Sequence, residues 1–344
     1  MEPPPDPATE PPVFRQLGGV AAAGDVAKFL AGKPVRSGAA LSAWQMTPEY
    51  RTHESELRAV WTAFTRYRVR RMERWSHENL SPALAGERVV YYPFGGPDLL
   101  HVHALFPHAR RAILMGLEPV GDLPILEEAG NDQVFAALPA YRQATRTQLQ
   151  VGYFITRDMR TDLDSGLLRG VTPVLLATIS LKNGWVDQVT PFNVAGNQAV
   201  EVSWRDRHGQ PRSTIYIRGD LSNSGFSTGY RDWLAAQGPG SSYFKAASYL
   251  MHDNRFSVAR DYFLRESRSI LQDDSGIPFR YLQPSEWLIR YYGNYEAPIG
   301  IFTRFDQPDL RAAYQANISP PLEFGSGYHY QPDTANLIHA MKRR

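Results

Sequence analysis

A chain of 344 residues has the length of two ordinary domains, or of one large α/β unit with additions. With 43% hydrophobic and 21% charged residues it can bury a sizeable core, which excludes disorder of the whole chain. A net charge of +2 offers no broad field for nucleic acid or an anionic membrane, and the absence of cysteine excludes disulfides, thiolate nucleophiles and sulfur-ligated zinc. That absence also favours an oxidising, extracytoplasmic setting, with the cytoplasm as the alternative.

Residues 1–12 hold six prolines and nothing that can be buried, so an extended segment is expected. Met1-Glu2-Pro3-Pro4-Pro5 has neither the basic nor the apolar region of a signal peptide. It has the character of a tether that follows a signal or lipid-anchor site, with Met1 an addition; a frayed cytosolic N-terminus is the alternative. Nowhere does an apolar run reach the ~18 residues that span a bilayer, the nearest being Gly170 to Leu181.

A short helix is expected over Gly24–Leu30 and a longer one over about Thr52–Leu80. In the longer one Leu57, Val60, Trp61, Phe64, Met72 and Trp75 recur at three- and four-residue spacing and line one face. Arg66, Arg68, Arg70, Arg71 and Arg74 crowd its second half, either as a solvated polar face or as an anion-binding one. Residues 13–85 therefore read as an N-terminal helical cap on a core spanning 86–344.

The core begins with Arg88-Val89-Val90-Tyr91-Tyr92, a β-branched and aromatic run typical of a buried strand. Pro93-Phe94-Gly95-Gly96-Pro97-Asp98 breaks it, Leu99 to Phe106 suits a short helix, and Arg111 to Leu117 reads as a second strand. Strand, helix and strand at this spacing make a βαβ unit with parallel strands. Helices are expected over Pro124–Gln150 and Gly166–Leu181, then two strands, Ala199–Trp204 and Ser213–Ile217, joined by a turn at Gly209. Further helices are expected over Tyr243–Met251, Ser257–Ser267 and near Asp309–Gln315, with a strand at Ile270-Leu271. The expected fold is a Rossmann- or methyltransferase-like parallel-sheet core with a C-terminal mixed α+β part.

Two loops could carry chemistry. In open parallel sheets ligands bind beyond the carboxyl ends of the strands. There Gly95 and Gly96 permit close backbone approach, and Asp98 stands at a helix start where it either meets a ligand or caps the helix. Glu118 closes the second strand, at the position where dinucleotide-binding units place an acid for ribose hydroxyls. The full Gly-x-Gly-x-x-Gly pattern is missing, which favours S-adenosylmethionine over NAD; a plain tight turn is the alternative. The second loop is Gln272-Asp273-Asp274-Ser275-Gly276-Ile277-Pro278. Its adjacent carboxylates would serve as a general base or as oxygen ligands for a divalent metal, or else cap a turn before Gly276. His101 and His103 are two apart and on a helix cannot share one metal. His-Glu-x-x-His and P-loop motifs are both missing from the chain.

At Tyr92 to Asp98, Gly116-Leu117-Glu118-Pro119-Val120-Gly121, Lys245 to Met251 and Gln272 to Pro278, the sequence resembles a family of uncharacterised bacterial proteins. The likeness runs from about Gly24 onward. Gly95 stands where that pattern would place a serine. The resemblance implies an exported protein or lipoprotein of the periplasm or cell envelope, and implies no activity. Three functions are carried forward: a methyltransferase-like ligand site at Gly95–Asp98 and Glu118 with Asp273 or Asp274 acting on an acceptor; a non-catalytic envelope protein that binds a small molecule or partner; and a carboxylate- or metal-dependent hydrolase.

Overall fold

The computed structural model describes residues 20–36, 39–80, 84, 86, 88–151 and 166–343, so the proline-rich segment 1–12 lies outside the described residues. Nine strands among them form one mixed sheet: β1 Val89–Tyr92, β2 Arg111–Gly116, β3 Trp185–Val194, β4 Asn197–Arg205, β5 Pro211–Arg218, β6 Ser241–Phe244, β7 Ser269–Gln272, β8 Trp287–Gly293 and β9 Asn336–Lys342. Their order is β3-β4-β5-β2-β1-β6-β7-β9-β8. The central run β5-β2-β1-β6-β7 is parallel throughout, and antiparallel strands flank it on both sides. The expected βαβ unit is present, with β1 and β2 paired in parallel.

Alternation along the central strands explains why both faces are covered. Val90 and Tyr92 join one apolar cluster, while Val89 and Tyr91 join the other. A fully buried parallel sheet needs apolar residues on both faces, which the continuous Val89-Val90-Tyr91-Tyr92 run supplies. The first face carries helices α1 Val20–Leu30, α2 Ala39–Gln45, α3 Pro48–Phe64, α4 Arg70–Asn79, α5 Leu99–Leu105, α6 Asn131–Val151 and α7 Thr172–Leu181. The opposite face carries α8 Thr228–Ala236, α9 Ser257–Glu266 and α10 Pro308–Ala316. Phe29, Tyr50, Met72 and Trp75 of the N-terminal helices thus share one core with Tyr92 and Leu114 of the sheet.

Two expectations need correction. The stretch 243–251 is not one helix: Tyr243 and Phe244 finish β6, and a 3-10 segment, Ala246–His252, follows. Tyr243 and Phe244 are paired to β7 in the middle of the sheet, so tertiary burial outweighs the helical propensity of the residues after them. Ala246 turns the chain with φ 57°, which separates strand from turn. Strand β3 was not expected. It is an edge strand with only Val186 and Val194 buried, and a strand that packs so little of itself carries weak apolar alternation. The long helix is interrupted by a π turn, Thr65–Val69, between α3 and α4.

Just beyond β2 two chain segments cross at glycines. Val171 N–H donates to the Pro119 carbonyl at 2.9 Å and Thr172 N–H to that of Val120 at 2.9 Å. Gly121 (φ +71°) and Gly170 (φ +78°) meet there, and a Cβ on Gly170 would stand 2.4 Å from the Gly121 backbone. Substitution Gly170→Ala combines left-handed strain with a backbone clash. By contrast Gly196 (φ +87°) has open space around it. In urea unfolding Gly196→Ala should cost about 1 kcal/mol of strain alone, and Gly170→Ala at least about 2 kcal/mol. Equal losses would show that the crossing is not tight.

Candidate functional site at the carboxyl edge of the sheet

From β1 the chain passes to its neighbour β2, then to the far edge at β3 and back through β4 to β5 beside β2, and later takes up β6 and β7 on the other side of β1. The order reverses between β1 and β6, and loops leaving the carboxyl ends there diverge to leave a crevice. Four adjacent strand ends contribute polar groups: Gly95–Asp98 after β1, Glu118 after β2, Lys245 after β6, and Asp273 with Asp274 after β7. The two loops singled out in the sequence therefore leave the same edge, one strand apart.

The turn after β1 is folded back on β2. Gly96 N–H donates to the Met115 carbonyl at 3.3 Å, with φ +51° at Gly96 and +60° at Phe94. A Cβ at Gly95 would stand 2.6 Å from the Tyr92 ring, and one at Gly96 only 3.2 Å from Glu118 Oε2. Glycine is required at 95 by that clash and at 96 by its left-handed φ. The Glu118 side chain is 4% exposed and accepts from the Tyr216 hydroxyl at 3.1 Å; the same hydroxyl reaches the Glu118 carbonyl at 2.9 Å. A buried carboxylate thus lies against a glycine turn, the two supplied by neighbouring parallel strands.

Asp98 does not cap α5, for its side chain makes no capping bond. It is buried and takes the Lys245 ammonium at 2.6 Å on Oδ2, the Tyr92 hydroxyl at 3.0 Å on the same oxygen, and His101 Nδ1 at 2.7 Å on Oδ1. Burial alone would raise the Asp98 carboxyl, but His101 and Lys245 outweigh it and bring it down to about 2. Burial lowers the His101 imidazolium to about 4, so at neutral pH the ring is uncharged and Nδ1 carries the donated proton. Lys245 is 1% exposed; burial lowers its pKa while Asp98 supports its charge. Arg68, from the π turn, lies within electrostatic reach of both Asp98 and Lys245. His103 turns away and packs on the Trp204 ring at 4.9 Å, as the helical spacing required.

Asp273 and Asp274 are buried beneath the segment 323–332. Asp273 Oδ1 accepts from Ser275 N–H at 3.0 Å and from the Ser275 hydroxyl, which is the turn chemistry expected before Gly276. Its other oxygen accepts from Ser326 at 3.3 Å. Asp274 accepts from Tyr249 and from Asn336 Nδ2 at 3.0 Å, and His329 Nε2 stands 3.4 Å from its Oδ1. Burial and the Asp274 charge push the Asp273 carboxyl up to about 7, against the Ser275 bonds. Burial would lower the His329 pKa, but the Asp274 and Asp273 carboxylates prevail and raise it.

Lys245, His329, Tyr249 and Arg68 were not read from the sequence as members of the site. The signal for Lys245 was its place after an apolar β run, hidden by reading 243–251 as a helix. His329 meets Asp274 only through tertiary structure. Among the described residues no group of three or more His, Asp or Glu side chains is placed to hold a metal ion. No helix there is long and apolar enough to cross a membrane. Compared with known proteins, the chain matches no protein family and no curated protein.

Titration should expose the Asp273 environment. Its folded pKa, about 7, lies above the ordinary value of about 4, so the folded state binds the proton more tightly. The associated stability is full below about pH 4 and is lost as pH rises towards about 7. Buried His53, His101, His103, His252 and His339, each lowered by burial to about 4 or below, push the whole profile the opposite way in the same window, so the reading is a difference. The unfolding free energy of the wild type minus that of Asp273→Asn should fall as pH rises from about 4 to about 7. Two profiles that run parallel across that window would contradict this assignment.

Proposed function

We propose that the protein binds a nucleoside-bearing small molecule at the carboxyl edge of its sheet and is a methyltransferase-like α/β protein. The observation that carries the proposal is the Glu118 carboxylate set 3.2 Å from where a Cβ at Gly96 would lie. Ribose hydroxyls donate to a carboxylate in this position, while a glycine turn lets the rest of the ligand approach the backbone. The parallel β5-β2-β1-β6-β7 run, with its order reversing between β1 and β6, supports the reading. Without a Gly-x-Gly-x-x-Gly loop to cradle a pyrophosphate, S-adenosylmethionine suits the turn better than NAD. In a methyl transfer Asp273 would be the group that takes the acceptor's proton once the 323–332 segment lifts away, since burial and the Asp274 charge bring its carboxyl to about 7.

A second reading is a non-catalytic binding protein of the cell envelope. It is favoured by the closed state of the polar edge: Asp98, Asp273 and Asp274 are all buried and already engaged within the protein. The cysteine-free composition and the proline-rich start support an exported location. A hydrolase built on Asp273, Asp274 and His329 would need the 323–332 segment to lift away.

Thermal unfolding with and without S-adenosylmethionine, NAD or Mg²⁺ separates these readings. A ligand at about 100 times its Kd stabilises the native state by roughly 2.7 kcal/mol, a shift of a few degrees. The proposal expects that shift with S-adenosylmethionine and its loss in Glu118→Ala. A shift with Mg²⁺ alone, lost in Asp273→Asn, would move the site to the acidic loop. No shift with either nucleoside would overturn the nucleoside reading and leave the non-catalytic one.

A further inference from the structure

A cleft of about 520 Å³ opens between the end of α3 with its π turn and the segment 323–332. Its volume lies in the range of small-molecule sites. Val60, Ala63 and Phe64 form one wall and Phe324 with Gly325 the facing one. Tyr67 and Tyr330, 59% and 54% exposed, stand at the rim as two aromatic rings open to solvent.

Two guanidinium groups are built into this apolar cleft. The π turn inserts an extra residue into the helix, a device that re-aims side chains and recurs at functional positions. Arg68, within that turn, donates to the Tyr330 carbonyl at 2.9 Å across the cleft. Arg71, just after it, donates to the Glu323 carbonyl at 2.9 Å. The one carboxylate of the lining, Glu323, is 61% exposed and faces Arg74 at 3.4 Å. Positive charge therefore prevails inside the cleft, and Arg66 and Arg70 add to it from the exposed side of the same helices.

We propose that this cleft binds a small organic anion with an aromatic body. Its carboxylate, sulfonate or phosphate meets Arg68 and Arg71, and its ring lies over Phe64 and Phe324 between the two rim tyrosines. Arginine favours such planar anions because its N–H groups match their oxygens in pairs. The site is separate from the Glu118 turn, so the proposal stands independently of the nucleoside reading.

Fluorescence titration with 8-anilinonaphthalene-1-sulfonate, and with its neutral analogue N-phenyl-1-naphthylamine, tests it on the intact protein. Saturable binding of one sulfonate per chain is expected, with the neutral analogue weaker by about 10-fold or more, the scale of a lost charged hydrogen-bond pair. Arg71→Ala should weaken the sulfonate about 10-fold. Ala63→Trp, which places an indole in the cleft from an exposed position, should abolish binding. Glu118→Ala should leave it unchanged, and circular dichroism and melting of each variant confirm that the fold persists. Absence of saturable binding, equal affinity for the two probes, or binding that Arg71→Ala or Ala63→Trp leaves intact would each overturn the proposal.

Discussion

The ion pair between Lys245 and Asp98 is the interaction on which the carboxyl edge of this sheet depends. It joins the ends of β1 and β6, the two strands between which the chain reverses its order of building. In most open α/β sheets the loops part at this point and leave an open crevice. Here the crevice holds a cation and an anion 2.6 Å apart, sealed from water, with the Tyr92 hydroxyl and His101 completing the coordination of the carboxylate. A pair so deeply placed need not add net stability compared with apolar residues, but either half without the other is very unfavourable. The pair fixes the geometry of the switch point.

The rest of the polar edge is arranged around that pair. To one side the glycine turn and Glu118 lie between β1 and β2, supported by the Gly121–Gly170 crossing. To the other, the Asp273–Asp274 turn lies under the 323–332 segment, held by Ser326 and approached by His329. Arg68 connects the buried cluster to the cleft on the outer side of that segment. The 323–332 segment thus contacts the buried acids with one side and lines the cleft with the other. An occupant of the cleft would bear on the same residues that cover Asp273 and Asp274.

The β1–α5–β2 unit was legible because its signals are local. A continuous apolar run, a glycine and proline break and a second apolar run need no tertiary context to be read. The same holds for the glycine turn, Glu118 and the Asx turn at Asp273. Partnerships were not legible. Lys245 and Asp98, or His329 and Asp274, come together only when strands far apart in the chain become neighbours. Asp98 illustrates the limit: at a helix start it reads as a cap or a ligand group, and the structure makes it the anion of a buried pair instead. The Arg66–Arg74 cluster was read as either a polar face or an anion site. The π turn divides it, sending Arg68 and Arg71 to the cleft and leaving Arg66, Arg70 and Arg74 exposed.

Urea unfolding of Lys245→Met, Asp98→Asn and the double variant measures the central pair most directly. If the pair locks the switch point, Lys245→Met alone loses about 3–5 kcal/mol, because it leaves a buried carboxylate without its cation. The double variant should then recover at least half of that loss, since it removes both charges. A Lys245→Met protein of wild-type stability, or single losses that simply add in the double variant, would show that the two side chains do not depend on each other and would contradict the account.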